Sequence, residues 1–293
     1  MSRPPADISA AVQLACMLEV VAPKPGNVTI GAAFHDTRVE DYLASAAAIG
    51  PVFAAAGTEP LGWTIRRSIE ATRRWTSVNT NLGIVLLLAP LARAAASGTG
   101  PLRPRVAAAL EHTTVDDTRD TYAAIRLAAP AGLGRVGDQD VADTPTIPLR
   151  DAMALAADRD AIAREYATTF RATFEVGTPA LERALGDGLS WSEATVETYL
   201  TLLAAAPDTH IMRKLGIPVA TAVQRSAREV LAAGGVRGPA GRDAIAALDR
   251  DLRDPRNARN PGATADLTVA AIFVALVAGA WPAPREEPRG AGR

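Results

Sequence analysis

Apolar residues recur along nearly the whole chain at spacings of three and four, and no run alternates β-branched residues with polar ones. That spacing marks helices with one buried stripe, and it leaves no segment from which a βαβ unit would be built. In segment 7–21, Ile8, Val12, Leu14, Ala15, Leu18 and Val21 share helical spacings, with Asp7 placed to open the helix. Segment 39–56 is rich in Ala, the strongest helix former. The same pattern predicts helices near 61–75, 81–96, 102–112, 116–129, 151–174, 190–205, 210–233, 240–252 and 263–280. The two most apolar stretches, 82–92 and 263–281, contain Pro90 and Asp266 respectively. A membrane span needs about 20 mostly apolar residues, so both read as buried helices. The expected fold is all-α: a single-domain multi-helix bundle over residues 1–281, followed by a disordered Pro/Gly/charge-rich tail, 282–293. The Gly/Pro/Asp-rich stretch 130–150 interrupts it. Loops of that length inside a compact domain are usually functional, so a working loop is expected there rather than a linker.

Composition narrows the function. Formal charge is −1, so no basic field advertises a nucleic-acid partner, and aromatics at 4% are too few for base-stacking platforms. The single cysteine, Cys16, excludes an intrachain disulfide framework and a cysteine zinc site. Gln13 and Glu19 make the N-terminal stretch too polar for a secretory leader, so a cytoplasmic protein is expected, with no membrane partner. No Gly-rich dinucleotide fingerprint follows a strand and no P-loop occurs.

The rare polar residues are the informative ones. Of 31 basic residues only two are Lys, Lys24 and Lys214; there are five Asn and three His. These ten residues gather in PKPGN (23–27), FHD (34–36), SVNTNLG (77–83), EHTTVDD (111–117), DTHIMRK (208–214) and NARNPG (257–262). A chain that uses Arg almost everywhere keeps Lys and Asn where Arg and Ser would not serve.

Each group has a chemical and a structural explanation. Pro23–Asn27, with Pro25 and Gly26, holds Lys24 as a point charge for phosphate, or simply forms a Pro-Gly turn closing the first helix. Asn79, Thr80, Asn81 and Gly83 open an apolar helix whose free N–H groups suit an anion, although capping alone would use one such residue. Asn260, Pro261 and Gly262 start another helix, and Asp266 inside it would be costly to bury without a cation, metal or hydroxyl partner. His210, Arg213 and Lys214 share one helix face next to Asp208, a face suited to a phosphorylated substrate with a metal ion, or to a solvated capped helix. His35 and Asp36 add an imidazole and a carboxylate; Asp116 and Asp117 complement a helix dipole; His112 reads as structural.

In this order the motifs resemble the triphosphoribosyl-dephospho-CoA synthase family: LEVVAPKPGNV (18–28), FHD (34–36), SVNTNLG (77–83), TYAAIRLAAPAGLGRVGDQDV (121–141), RDAIAREYATTF (159–170), YLTLLAAAPDTHIMRKLG (199–216) and NPGATADLTVAAIF (260–273). The resemblance implies an all-helical enzyme that moves the ribose 5-triphosphate part of ATP onto a hydroxyl of dephospho-CoA, with adenine leaving. One motif departs from the family pattern: N-T-H-[KR]-G has become Asn79-Thr80-Asn81-Leu82-Gly83, without the imidazole and the cation. With LLLAPLA (86–92), that departure also resembles a branch that places a phosphoribosyl group on an aryl-ribitol alcohol during tetrahydromethanopterin synthesis; the donor is ATP or phosphoribosyl pyrophosphate. A non-catalytic nucleotide or CoA sensor and a ribosyl hydrolase are the competing classes.

The chemistry implied is displacement at ribose C1′ by an alcohol. It assigns Lys24 and Lys214, assisted by Arg213, to the phosphates. Asp36, Asp208 and Asp266 become candidates for the base or for Mg²⁺ ligands. Asn27, Asn79, Thr80, Asn81, Asn260 and the glycines 26, 83 and 262 line the substrate, and His35 and His210 bond the donor or the leaving group.

Overall fold

The computed structural model describes residues 4–281 apart from 131 and 133; the expected tail, 282–293, lies outside them. Among the described residues there are fourteen α-helices and no strand, only an isolated bridge between Thr29 and Ala32. In chain order they are α1 (Pro5–Val21), α2 (Val39–Phe53), α3 (Leu61–Thr72), α4 (Leu82–Ala96), α5 (Leu102–Glu111), α6 (Val115–Ala128) and α7 (Leu149–Ala154). Then come α8 (Ala161–Thr168), α9 (Thr178–Gly186), α10 (Trp191–Ala205), α11 (Thr209–Leu215), α12 (Ile217–Ala232), α13 (Pro239–Leu252) and α14 (Gly262–Ala278). The all-α expectation holds. No described helix is long and apolar enough to cross a membrane.

Three boundaries differ from the sequence pattern, each for a local reason. The helix expected over 151–174 is α7, α8 and a π turn at Thr173–Gly177. Asp160 starts α8 afresh by accepting from the Ile162 and Ala163 amides, and Thr169 and Phe170 leave the helix at φ 53° and 57°. The helix expected over 210–233 breaks at Gly216, φ 86°, a conformation that favours glycine, and Pro218 opens α12. Helix α9 was not expected at all.

Helices α4 and α14 are apolar on every face and buried along nearly their whole length. Around them pack α1, α3, α5 and α10, which complete the larger apolar cluster with residues such as Ile8, Ile65, Val106 and Leu202. A second cluster joins α10, α12 and α13 through Leu200, Leu203, Val223 and Leu248; α10 serves both. Each buried Leu or Ile contributes about 1.5–3 kcal/mol, against about 1 kcal/mol for a helix cap. Packing therefore fixes α4; Asn81 at its N-cap makes no side-chain cap, and Asn79 Oδ1 accepts the Leu82 amide instead, at 3.1 Å.

Two prolines sit inside helices, and each leaves one carbonyl without its i+4 donor. Pro90 orphans the Leu86 carbonyl, and the buried Tyr166 hydroxyl of α8 donates to it at 2.6 Å. Pro51 orphans the Ala47 carbonyl, which accepts from Gln13 Nε2 of α1 at 3.2 Å. Asp117 forms the capping box of α6 with Thr114 and accepts the Gly62 amide of α3 at 2.7 Å, so this pair has the structural role expected for Asp116–Asp117.

Candidate active site

The N-termini of α4, α11 and α14 meet. Gly83 on α4 has no side chain because Asp266 of α14 occupies the space: a Cβ there would lie 2.0 Å from Asp266 Oδ2. Gly262 yields in the same way to His210, whose Nδ1 would lie 2.9 Å from an added Cβ. Asp208 joins the other two helices. Its Oδ1 accepts from the His210 and Ile211 amides at 2.8 and 3.1 Å, and its Oδ2 accepts from the Thr264 amide and hydroxyl at 2.8 and 2.7 Å. Three motifs far apart in sequence thus lock into one corner.

Two cavities open on that corner, one of about 730 Å³ and one of about 110 Å³. Asn79, Leu82, Gly83, His210 and Asp266 line both and form the wall between them. The loop after α6 supplies one side of the large cavity through Pro130, Val136, Gln139 and Asp140. Asp140 folds that loop by accepting from the Val136 and Ala142 amides at 2.7 and 2.9 Å, contacts that hold its carboxyl below the usual carboxylate range. The Tyr122 hydroxyl of α6 pins the loop again, donating to the Gln139 carbonyl at 2.5 Å.

Electrostatics separate the groups on the wall. Burial raises the Asp266 carboxyl well above the usual range, and the nearby carboxylates of Glu19, Asp208 and Asp160 raise it further, while Arg213 opposes them. Among the described residues no donor bonds to it. His210 is lowered to about 3 by burial and then by the charges of Lys214 and Arg213, so its imidazole is neutral. Two cations, Arg159 and Arg213, face the large cavity, and Arg213 Nη1 lies 3.4 Å from Asp160 Oδ2.

The expected site residues divide. Asp266, His210, Asn79 and Gly83 stand on the shared wall; Arg213 lines the large cavity; Asn27, Thr80, Asn260 and Gly262 line the small one. Others have different work. Lys24 lines neither cavity: its buried ammonium bonds the Glu19 and Ala22 carbonyls and lies 3.1 Å from Glu19 Oε1. Burial pushes this ammonium down and the Glu19 carboxyl up, and their contact opposes both shifts. The phosphate role expected of Lys24 is thus replaced by a buried pair beneath the small cavity. Asp208 has its oxygens taken by four donors, which leaves it no capacity as base or metal ligand.

His35 and Asp36 are more than half exposed and line neither cavity; His35 Nδ1 contacts Asn257 Nδ2 at 2.9 Å, and Lys214 Nζ reaches the Asn257 carbonyl at 3.5 Å. Asn81 turns to Thr72 Oγ1 at 2.9 Å, and Thr80 shares a 2.6 Å bond with Ser45. Gly26, at φ 74°, donates to Asp249 and leaves room for Leu252 rather than for a ligand, with buried Pro25 beside it. The three expected Mg²⁺ ligands do not converge, and among the described residues no three His, Cys, Asp or Glu side chains form a metal-holding group.

Sequence reasoning missed Glu19, Tyr42, Arg159 and Asp160, all of which line a cavity. Tyr42 sits among ordinary helical residues and carries no local signal, whereas Glu19 lies in the family-like segment 18–28 and interrupts an apolar run. Arg159 and Asp160 open one of the family-like segments quoted above, which was the signal available.

A 2-(5″-triphosphoribosyl)-3′-dephosphocoenzyme-A synthase of Klebsiella pneumoniae is 37% identical over 101 residues, 34% of this chain and 35% of that protein. A Stutzerimonas stutzeri protein assigned the same name is 33% identical over 123 residues, 42% of each chain. These alignments span well under half of the curated relatives' length. A crystal structure from Archaeoglobus fulgidus, assigned as a triphosphoribosyl-dephospho-CoA synthase, superposes with a TM-score of 0.63 at 28% identity over 81% of this chain and 99% of that one. The model of one family matches residues 5–284, nearly the whole chain, and the protein therefore belongs to the ATP:dephospho-CoA triphosphoribosyl transferase family.

Proposed function

We propose that the chain, with residues 1–281 acting as one domain in the cytosol, transfers the 5-triphosphoribosyl part of ATP to a hydroxyl of dephospho-CoA. The observation that carries this reading is Asp266: a carboxyl with no donor among the described residues, on the wall between a large cavity bearing two arginines and a small polar one. In the reaction the C1′–N bond to adenine breaks and a C1′–O bond to the acceptor forms. Asp266 takes the alcohol proton, and adenine gains one as it leaves, so the protons balance. Positive charge develops on the ribose, as in glycoside cleavage, and an adjacent carboxylate favours it. The raised Asp266 carboxyl is a stronger base than an ordinary aspartate.

Arg159 and Arg213 hold the triphosphate. The large cavity lies within the roughly 300–1,000 Å³ that small-molecule sites occupy, and its apolar lining takes the acceptor's chain. Mg²⁺ enters on the phosphates as part of the nucleotide substrate, because the expected protein ligands do not form a cage.

The test is a mass-spectrometric assay with ATP, Mg²⁺ and dephospho-CoA, run beside phosphoribosyl pyrophosphate with an aryl-ribitol alcohol. The expected result is free adenine and dephospho-CoA heavier by the triphosphoribosyl group. Nucleotide binding without adenine release would mark a sensor, free ribose phosphate a hydrolase, and product only from the second pair the pterin-type reaction.

A further inference from the structure

The small cavity carries more polar capacity than the protein uses. His210 Nε2 and Asn260 Oδ1 are buried without a partner, and Asp266 beside them accepts nothing from the described residues. An unpaired buried polar atom costs about 1–3 kcal/mol, so two on residues that line one space of about 110 Å³ point to something that binds there. The lining identifies its chemistry. Among the described residues no Lys or Arg lines this cavity, while Glu19 and Asp266 do, so a phosphate would meet carboxylates and no cation. Among the described residues no three His, Cys, Asp or Glu side chains gather there to hold a divalent cation. What remains is an uncharged mixture of acceptors and donors: the Asn260 carbonyl oxygen, a neutral imidazole nitrogen and a carboxyl, with the Tyr42 hydroxyl and the Asn79 amide on the same lining. That set complements neutral hydroxyl groups, each of which donates one bond and accepts others. The volume, a few waters at about 30 Å³ each, suits two hydroxyls on one edge of a five-membered ring.

We infer that the small cavity seats the 2′,3′-diol of the donor's ribose, with Asn260 and His210 as its hydroxyl partners, and so selects ribonucleotide over deoxyribonucleotide donors. This rests on the proposed transfer reaction and adds to it. With the diol edge inside, the ring oxygen, C1′ and C5′ face the shared wall, which brings C1′ to Asp266 and leaves the triphosphate beside the arginines of the large cavity.

The experiment is calorimetric titration of the full-length wild-type protein with Mg²⁺ and no acceptor, using ATP, 2′-deoxy-ATP and 3′-deoxy-ATP. A site built to bond a hydroxyl rejects the analogue that lacks it, so the deoxy analogues are expected to bind about 10- to 100-fold more weakly than ATP. In Asn260→Ala, with an unchanged helical circular-dichroism spectrum, the gap for one analogue should shrink to a few-fold. Equal binding of all three nucleotides by the wild type overturns the diol assignment while leaving the transfer reaction standing. Failure of ATP itself to bind overturns the ATP-donor reading and the diol assignment together.

Discussion

Gly83→Ala tests the site through one methyl group. Its Cβ would lie 2.0 Å from Asp266 Oδ2 and 2.6 Å from Cγ, whereas carbon–oxygen contacts settle near about 3.3–3.6 Å. The carboxyl must withdraw by more than about 1 Å, and a misplacement of that size costs about 10²-fold in rate. Folding should change far less: Ala is favoured over Gly in a helix by about 1 kcal/mol, which offsets part of the roughly 1–3 kcal/mol expected from overpacking. The assay is adenine release at saturating ATP with dephospho-CoA varied, beside thermal unfolding followed by circular dichroism. We expect kcat/KM to fall about 10²-fold with a melting temperature within a few degrees of wild type. Asp266→Asn should cost about 10²–10⁴-fold, and the double variant should be little worse than Asp266→Asn alone, because both act on one group. A Gly83→Ala enzyme within threefold of wild type, or effects that multiply in the double variant, would refute the placement of Asp266 at the reacting centre.

Three further outcomes follow from the same geometry. Lys24→Met strands Glu19 in a buried site and should destabilise by about 3–5 kcal/mol, recovered in large part by adding Glu19→Gln; urea unfolding measures both, and the folded fraction should bind ATP normally, since Lys24 touches no cavity. Tyr166→Phe leaves the Leu86 carbonyl unpaired beneath Pro90 and should cost about 1–3 kcal/mol with adenine release intact; a loss below half of that would mean water reaches the carbonyl. The raised Asp266 carboxyl binds its proton in the folded state over a range where the unfolded chain has released it, so it loses stability as pH rises from the ordinary aspartate range through its raised value. Asp266→Asn should therefore melt higher than wild type above that window and equally below it, and the acid limb of wild-type kcat/KM should lie above the ordinary aspartate range; a pH-independent melting difference would contradict this.

The helices were legible where a long, mostly apolar run exists, as in α1, α4, α10 and α14, because burial dominates their energetics. Breaks set by one residue were not: Gly216 and Asp160 act through backbone conformation and amide bonds that periodicity does not register. For the site, scarcity of Lys, Asn and His pointed to the corner where the two cavities meet, but did not separate the groups that line them from those bonded internally. Asp208 and Lys24 are rare polar groups in family-like motifs, yet their bonds are internal, and only three-dimensional partners separate a group that holds the site from one that faces it. Asp266 was legible for the opposite reason: a carboxylate in an otherwise apolar helix has no cheap structural explanation. Glu19 offered the same contrast within its apolar run but was read only as evidence against a leader, and Tyr42 had no such contrast with its neighbours.

The hydroxyl of Tyr166 and the ring of Pro90, 76 positions apart on different helices, also constrain how this chain can diverge. Losing the tyrosine alone exposes a broken backbone bond, whereas losing the proline alone leaves the hydroxyl competing with a restored amide for one oxygen. Drift is expected to move the two together, so relatives with an unbroken α4 should tolerate phenylalanine at the matching place, and the pairing should be visible as covariation between two positions that share no chemistry of their own.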